Sequence, residues 1–148
     1  MCLQTDISIS HKKMVNAAFD LVGTPFLEGG RDKNGIDCYG VFLLLMKELG
    51  IESLPDPEYT DDLQFCQAAL LALNDGIAYR LPEGEPPLSG DIVFFCGGRN
   101  HLGVMLSRTL FIHADIGIGC IRSTIEDKRY RRRIAGYYRM IGGPNDNR

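Results

Sequence analysis

Apolar residues recur at helical spacing from His11 to Val22, where Met14, Ala17, Ala18, Leu21 and Val22 fall on one side of a 3.6-residue repeat. The spacing predicts an amphipathic helix, with Ser8 or Ser10 as its cap and residues 1–9 as an irregular lead-in. Gly23-Thr24-Pro25 ends it, because proline cannot continue a helix. Residues 24–36 are polar and glycine-rich and read as a loop. Its glycines serve either plain turns or a close approach of backbone to a ligand. Residues 38–49 are apolar on most of their surface, which predicts a central, buried helix stopped by Gly50. A loop with two prolines follows over residues 51–60. Asp61 or Asp62 then caps a third helix, Leu63 to Leu73, with Cys66 in its core face. Residues 77–81 suit a short strand.

Residues 82–90 (PEGEPPLSG) are the strongest breaker run in the chain. After them the pattern changes to short strands: Asp91–Cys96, His101–Leu106, Thr109–Ala114, Gly119–Ser123 and Ile134–Ile141. Helices first and strands last indicate an α+β fold with an antiparallel sheet. Neither flank of the breaker run is long enough for a comfortable domain of its own, so residues 1–148 are expected to form one domain.

Composition narrows the class. An apolar fraction of 45% and a charged fraction of 24% are ordinary for a globular protein. A net charge of −3 argues against nucleic-acid binding by the surface as a whole. Five cysteines form no CxxC pair, which suits reduced thiols in a protein made in the cytoplasm. The first residues carry no apolar run of the signal-peptide kind, and no segment suits a membrane span. A substrate outside the cytoplasm would therefore require another route of delivery.

The chemistry centres on Asn34-Gly35-Ile36-Asp37-Cys38-Tyr39-Gly40. Cys38 falls on the first turn of the second helix, where the partial positive charge of the helix N-terminus favours thiolate. Asp37 stands at the cap and is placed to accept from the amide of Gly40. By itself this pattern equally describes a small buried cysteine at a helix start. A cysteine nucleophile needs a base, and the base needs a third polar group to orient it. Two of the three histidines, His101 and His113, flank a hairpin with Ser107-Arg108 at its turn. A three-residue loop of Leu106, Ser107 and Arg108 pairs Met105 with Thr109, Gly103 with Phe111 and His101 with His113. The two imidazoles then share a face, with Cβ atoms about 5 Å apart. A two-residue loop would put them on opposite faces. Patterning favours the first, because Leu102, Val104, Leu110 and Ile112 then form a wholly apolar opposite face. In that arrangement His101 is the base and His113 its orienter, and Gly103 leaves room for the first turn of the Cys38 helix. A zinc site from Cys38, Cys96, Cys120, His101 and His113 is a rival, although close-spaced ligand pairs are missing.

Four motifs in order, Asp37-Cys38-Tyr39-Gly40, Gly90-Asp91-Ile92-Val93-Phe94-Phe95, His101-Leu102-Gly103-Val104 and Phe111-Ile112-His113-Ala114, resemble those of NlpC/P60 cysteine peptidases. Gly23-Thr24-Pro25-Phe26 and Gly29-Gly30-Arg31 are similar to that family's approach to its cysteine. The resemblance runs from about Met14 to Ile141 and is strongest to short versions associated with phages and prophages. It implies a papain-like α+β fold with the Cys38 helix packed on the sheet. It also implies hydrolysis of peptidoglycan stem peptides between γ-D-glutamate and the following diamino acid. Cys38 would be nucleophile, His101 general base and then acid, and His113 the third residue. The Cys38 amide would help hold the oxyanion. No metal or organic cofactor is implied. Many members carry tyrosine where this chain has Phe26, so a hydroxyl donor is missing beside the expected substrate. Partners implied are the stem peptide and, for delivery, phage tail proteins.

Arg31, Asp32, Asp37, Phe26 and Gly103 are candidates to line a substrate cleft. Lys128–Arg133 (KRYRRR) suits either an anionic wall polymer or, more simply, a solvated face or strand edge. Asp91 is expected to close a turn, and Tyr137 and Tyr138 to alternate faces with at least one outward. Two other functions share these residues: an idle structural part of a phage tail tip, which Phe26 motivates, and a secreted antibacterial toxin of the same chemistry. Slow reaction of Cys38 with a thiol probe would favour the idle form.

Overall fold

A computed structural model describes residues 2–148 except 53, 57, 59–75 and 98–100, with side chains described from residue 9 onward. The helix expected over Leu63–Leu73, with Cys66, lies outside the described residues. The elements run α1 (Cys2–Leu21), β1 (Arg31–Asp32), β2 (Gly35–Ile36), α2 (Cys38–Glu48), β3 (Ala78–Arg80), β4 (Ile92–Phe95), β5 (His101–Met105), β6 (Leu110–Asp115), β7 (Gly119–Thr124), α3 (Lys128–Arg131) and β8 (Ile134–Met140). The main sheet has six antiparallel strands in the order β3-β8-β4-β5-β6-β7. The helices-then-sheet pattern is thus an α+β fold, with each strand expected from the sequence present to within two residues at either end.

Of the irregular lead-in expected over residues 1–9, residues 2–9 are instead helical, because α1 begins at Cys2 and carries Ser8 and Ser10 inside it. The expected loop over 24–36 contains the small β1–β2 hairpin, in which Arg31 pairs with Ile36 and Asp32 with Gly35. Helix α2 ends as expected, with Leu49 as its cap and Gly50 at φ +82°, a conformation glycine adopts without a Cβ clash.

Period-two burial explains how the sheet is covered. Ile92, Phe94, Leu102, Val104, Ile112, Ala114 and Cys120 face the helices and share a core with Met14, Ala18, Val41, Phe42, Leu45 and Met46. The alternate residues Val93, Phe95, Met105 and Phe111 form a second core, closed by Tyr130 from α3. Both faces are therefore buried. Tyr137 and Tyr138 alternate faces as expected, but neither is fully outward: each is partly buried, Tyr137 against the second core and Tyr138 against the first. The basic run is mostly solvated as expected, with Arg129, Arg131 and Arg132 exposed, but it also forms α3 and buries Tyr130.

Asp91 is wholly buried and closes its turn by accepting from the Leu88 amide at 2.8 Å. It also receives two bonds from the buried Arg139 guanidinium, at 3.0 and 2.8 Å. Fork-to-fork geometry of this kind ties β8 to the entry of β4. The pairing holds the Arg139 proton more tightly than usual, Asp91 being the main cause.

Candidate active site

Cys38 is the first residue of α2, and Asp37 caps that helix in extended conformation. Asp37 Oδ1 accepts from the Gly40 amide at 2.8 Å, as its position predicts, and Oδ2 accepts from the Gly29 amide at 2.8 Å. Arg31 Nη1 lies 2.9 Å from Oδ1, and its guanidinium also bridges to Asp56 at 2.9 Å. The side chain of Arg31 sits 5.6 Å from the Tyr39 ring centre, and the Tyr39 hydroxyl donates to the Pro55 carbonyl. Burial, with the Asp56 charge second, pushes the Tyr39 hydroxyl up to about 12, so it stays a donor at neutral pH. Arg31 and Asp37, candidates for a substrate cleft, are thus engaged in holding the loop and the first turn. Gly40 permits the same closeness: a Cβ there would lie 2.4 Å from the Gly30 carbonyl oxygen.

Phe26 is half-buried against the helix-side core and bridges Ile36, two residues before Cys38. The Ile36 amide donates to Pro25 at 3.0 Å, and the Leu27 amide to Ile36 at 3.1 Å. The residue without a hydroxyl is therefore tied to the strand that leads into Cys38. Asp32 is exposed and accepts from the Asn34 amide.

The two histidines meet. His101 Nε2 lies 2.6 Å from His113 Nδ1, with the rings edge-on at 72°. The register that achieves this differs from the expected one. Val104 pairs with Ile112 and Met105 with Phe111, and the Leu106 amide donates to Leu110. The turn is therefore Ser107-Arg108-Thr109, one residue later than expected. The reason is local: Ser107 Oγ accepts from the amides of Thr109 and Leu110, which places Ser107 at the start of the loop. Moving the turn by one residue changes each pairing by two, so the faces are preserved and His101 sits diagonal to His113. Diagonal neighbours lie within reach of long side chains. Two expectations fail with the register. Leu110 is exposed beside the turn rather than part of an apolar face. Gly103 does not make room for the Cys38 helix: a Cβ there would lie 2.7 Å from the Phe111 ring and 3.3 Å from Val93, in the second core.

His113 is fully buried, with Phe111 and Tyr130 rings 4.7 and 5.1 Å away. Burial pushes its pKa down to about 4, so the ring is neutral at neutral pH. Its Nε2 lies 2.8 Å from Ser123 Oγ on β7. Ser123 was not singled out from the sequence. The signal existed, because the turn Ile116-Gly117-Ile118 pairs Asp115 with Gly119 and, carried along, Phe111 with Ser123. That places Ser123 on the His113 face.

The zinc candidates do not converge. Cys96 is exposed, and Cys120 lies in the helix-side core, where burial pushes its thiol up to about 12. Among the described residues no three His, Cys, Asp or Glu side chains are grouped to hold a metal ion. No helix among them is long and apolar enough to cross a membrane.

The sequence profile of the NlpC/P60 family matches residues 23–139, which contain every residue of this site. The chain belongs to the NlpC/P60 family. It is similar to a probable peptidoglycan endopeptidase, LytE, of Bacillus subtilis, 26% identical over 137 residues, covering 90% of this chain and 35% of that protein. It is also 26% identical over 114 residues to a probable endopeptidase, NlpC, of Escherichia coli, covering 74% of this chain and 65% of that one. The chain thus spans about a third of the first relative and just under two thirds of the second. Among solved structures, an NLP/P60 family lipoprotein-like protein of Staphylococcus aureus superposes with TM-score 0.66 at 21% identity, covering 89% of this chain and 41% of that one. The NlpC/P60 domain of the peptidoglycan hydrolase SagA superposes at 0.57 and 20%, covering 88% and 98%. These likenesses support the papain-like α+β arrangement of this NlpC/P60 chain.

Proposed function

We propose that this chain is a cysteine endopeptidase that hydrolyses peptidoglycan stem peptides at the bond between γ-D-glutamate and the following diamino acid. The observation that carries the reading is the 2.6 Å contact of His101 with His113, in a family chain whose Cys38 opens a capped helix. The names of the LytE and NlpC relatives support an endopeptidase, and that of LytE supports a peptidoglycan substrate. His101 takes the Cys38 proton, and the thiolate attacks the scissile carbonyl carbon. The carbonyl oxygen becomes an oxyanion, held by the Cys38 amide at the helix N-terminus. Protonated His101 gives its proton to the leaving amine, and a thioester remains. His101 then takes a proton from water, the hydroxide attacks the thioester, and Cys38 leaves as the acid product departs. His113, neutral and buried, orients His101 throughout. Delivery to the wall by a phage tail or similar carrier is part of the proposal and rests only on the likeness of the sequence to short phage-associated members.

The test is product identification by mass spectrometry after incubation with synthetic L-Ala-γ-D-Glu-diamino acid peptides and their α-linked isomers. Release of L-Ala-D-Glu from the γ-linked peptide alone is expected. Cleavage of the α-linked isomer at equal rate, or of neither, overturns the reading.

A further inference from the structure

His113 has a polar partner on each ring nitrogen, His101 Nε2 at Nδ1 and Ser123 Oγ at Nε2. A neutral imidazole carries one N–H, so one nitrogen donates while the other accepts. Two arrangements satisfy both contacts. In the first, His113 Nε2–H donates to Ser123, His113 Nδ1 accepts from His101 Nε2–H, and His101 Nδ1 carries the basic lone pair. In the second, Ser123 O–H donates to His113 Nε2, His113 Nδ1–H donates to His101 Nε2, and His101 Nδ1 already holds the proton. Only the first lets His101 act as a base, and it keeps its hydrogen bond to His113 when His101 becomes imidazolium.

We infer that Ser123 is a positioning residue whose hydroxyl, by accepting the Nε2 proton of His113, holds the tautomer in which His113 receives a hydrogen bond from His101 and His101 Nδ1 takes the thiol proton. The inference rests on the cysteine-peptidase reading above and deepens it. The groups that titrate and face the His113 ring are His101 from β5 and Tyr130 from α3, and Arg129 lies 5.6 Å from the Tyr130 ring centre. Among the described residues no carboxylate hydrogen-bonds His113, and the Ser123 hydroxyl can either donate or accept; the need for a basic His101 Nδ1 selects the arrangement in which Ser123 accepts. Burial keeps the ring neutral at neutral pH, so tautomer choice rather than charge is what a partner can control.

The experiment compares wild type, Ser123→Ala and Ser123→Thr by peptide-cleavage kinetics and by the ¹⁵N shifts of the His113 ring. Wild type is expected to show His113 as the Nε2–H tautomer, and Ser123→Ala to show a mixture. Loss of one hydrogen bond should lower kcat about tenfold in Ser123→Ala. KM should stay within about twofold, and Ser123→Thr should recover most of the rate because it keeps the hydroxyl. A wild-type Nδ1–H tautomer, or a Ser123→Ala protein with unchanged tautomer and unchanged kcat, overturns the inference. The ring shifts are read without turnover, so the two claims separate. A tautomer that moves in Ser123→Ala while wild type cleaves nothing supports the role of Ser123 and overturns the cleavage reading instead.

Discussion

His113 should make the fold sensitive to acid in a calculable way. Its ring is wholly buried between Phe111, Tyr130 and His101, and its pKa falls from 6.5 to about 4 because burial penalises the charged form. Between those limits the unfolded chain binds a proton that the folded chain refuses. The contribution is therefore complete above pH 6.5, falls as the solution is acidified, and levels off below about pH 4. At 1.36 kcal/mol for each pH step the loss is about 3 kcal/mol across the window. The perturbation is His113→Asn, which removes the titration while leaving a polar side chain. Carboxylates titrate in both proteins and cancel in the difference. Urea unfolding at pH 7, 5.5 and 4 should show the wild-type advantage over His113→Asn shrinking by about 3 kcal/mol as pH falls. A difference that stays constant within about 0.5 kcal/mol would mean that folded His113 accepts its proton at an ordinary pKa. The ring would then carry a substantial charge just below neutral pH, and burial would not be what keeps it neutral.

Asp37→Ala should destabilise the protein by about 2–4 kcal/mol, since two amides lose a charged acceptor, and Asp37→Asn by about 1. The Arg31 contact is largely buried on the Asp37 side, so Asp37→Ala also leaves the Arg31 guanidinium without that partner. Urea midpoints check both values, and equal loss in the two variants would show that the helix cap is not what Asp37 supplies. Asp91→Ala leaves Arg139 as a buried charge without its carboxylate and should cost about 3–5 kcal/mol in the same assay; a loss under 1 would contradict the buried pairing. Alkylation at neutral pH, followed by peptide mapping, should label Cys38 faster than the exposed Cys96. His101→Ala should slow the Cys38 reaction by about tenfold or more. Labelling of Cys38 at the rate of glutathione would favour the idle structural form.

The strands were legible because each alternates or runs apolar over a few residues between turn signals, and β4 to β8 were all locatable from that. The Asp37 cap was legible for a local reason, since an acidic side chain before the first helical residue has few other uses. Three features were hidden. The β1–β2 hairpin is two residues per strand and built on glycines, so it carries no periodicity. The start of α1 at Cys2 is marked in the sequence only by Leu3 and Ile7, four residues apart, and the alternation Ile7-Ser8-Ile9-Ser10 that follows hides the helical period before His11. Tyr130 sat inside a basic run, and without it the second face of the sheet looked solvated, which left one of Tyr137 and Tyr138 outward. The site itself was half legible. Face parity brought the two histidines together, although the turn is one residue later because Ser107 captures two amides. Ser123 required one further step of register across the next hairpin.

The most direct test of the account is single-turnover cleavage of a γ-linked stem peptide by wild type, Cys38→Ala and His101→Ala, with products followed by mass spectrometry. The account predicts a thioester-bound fragment on wild-type Cys38 followed by release of product, no product from Cys38→Ala, and loss of most of the rate in His101→Ala. Equal product from wild type and Cys38→Ala would contradict it.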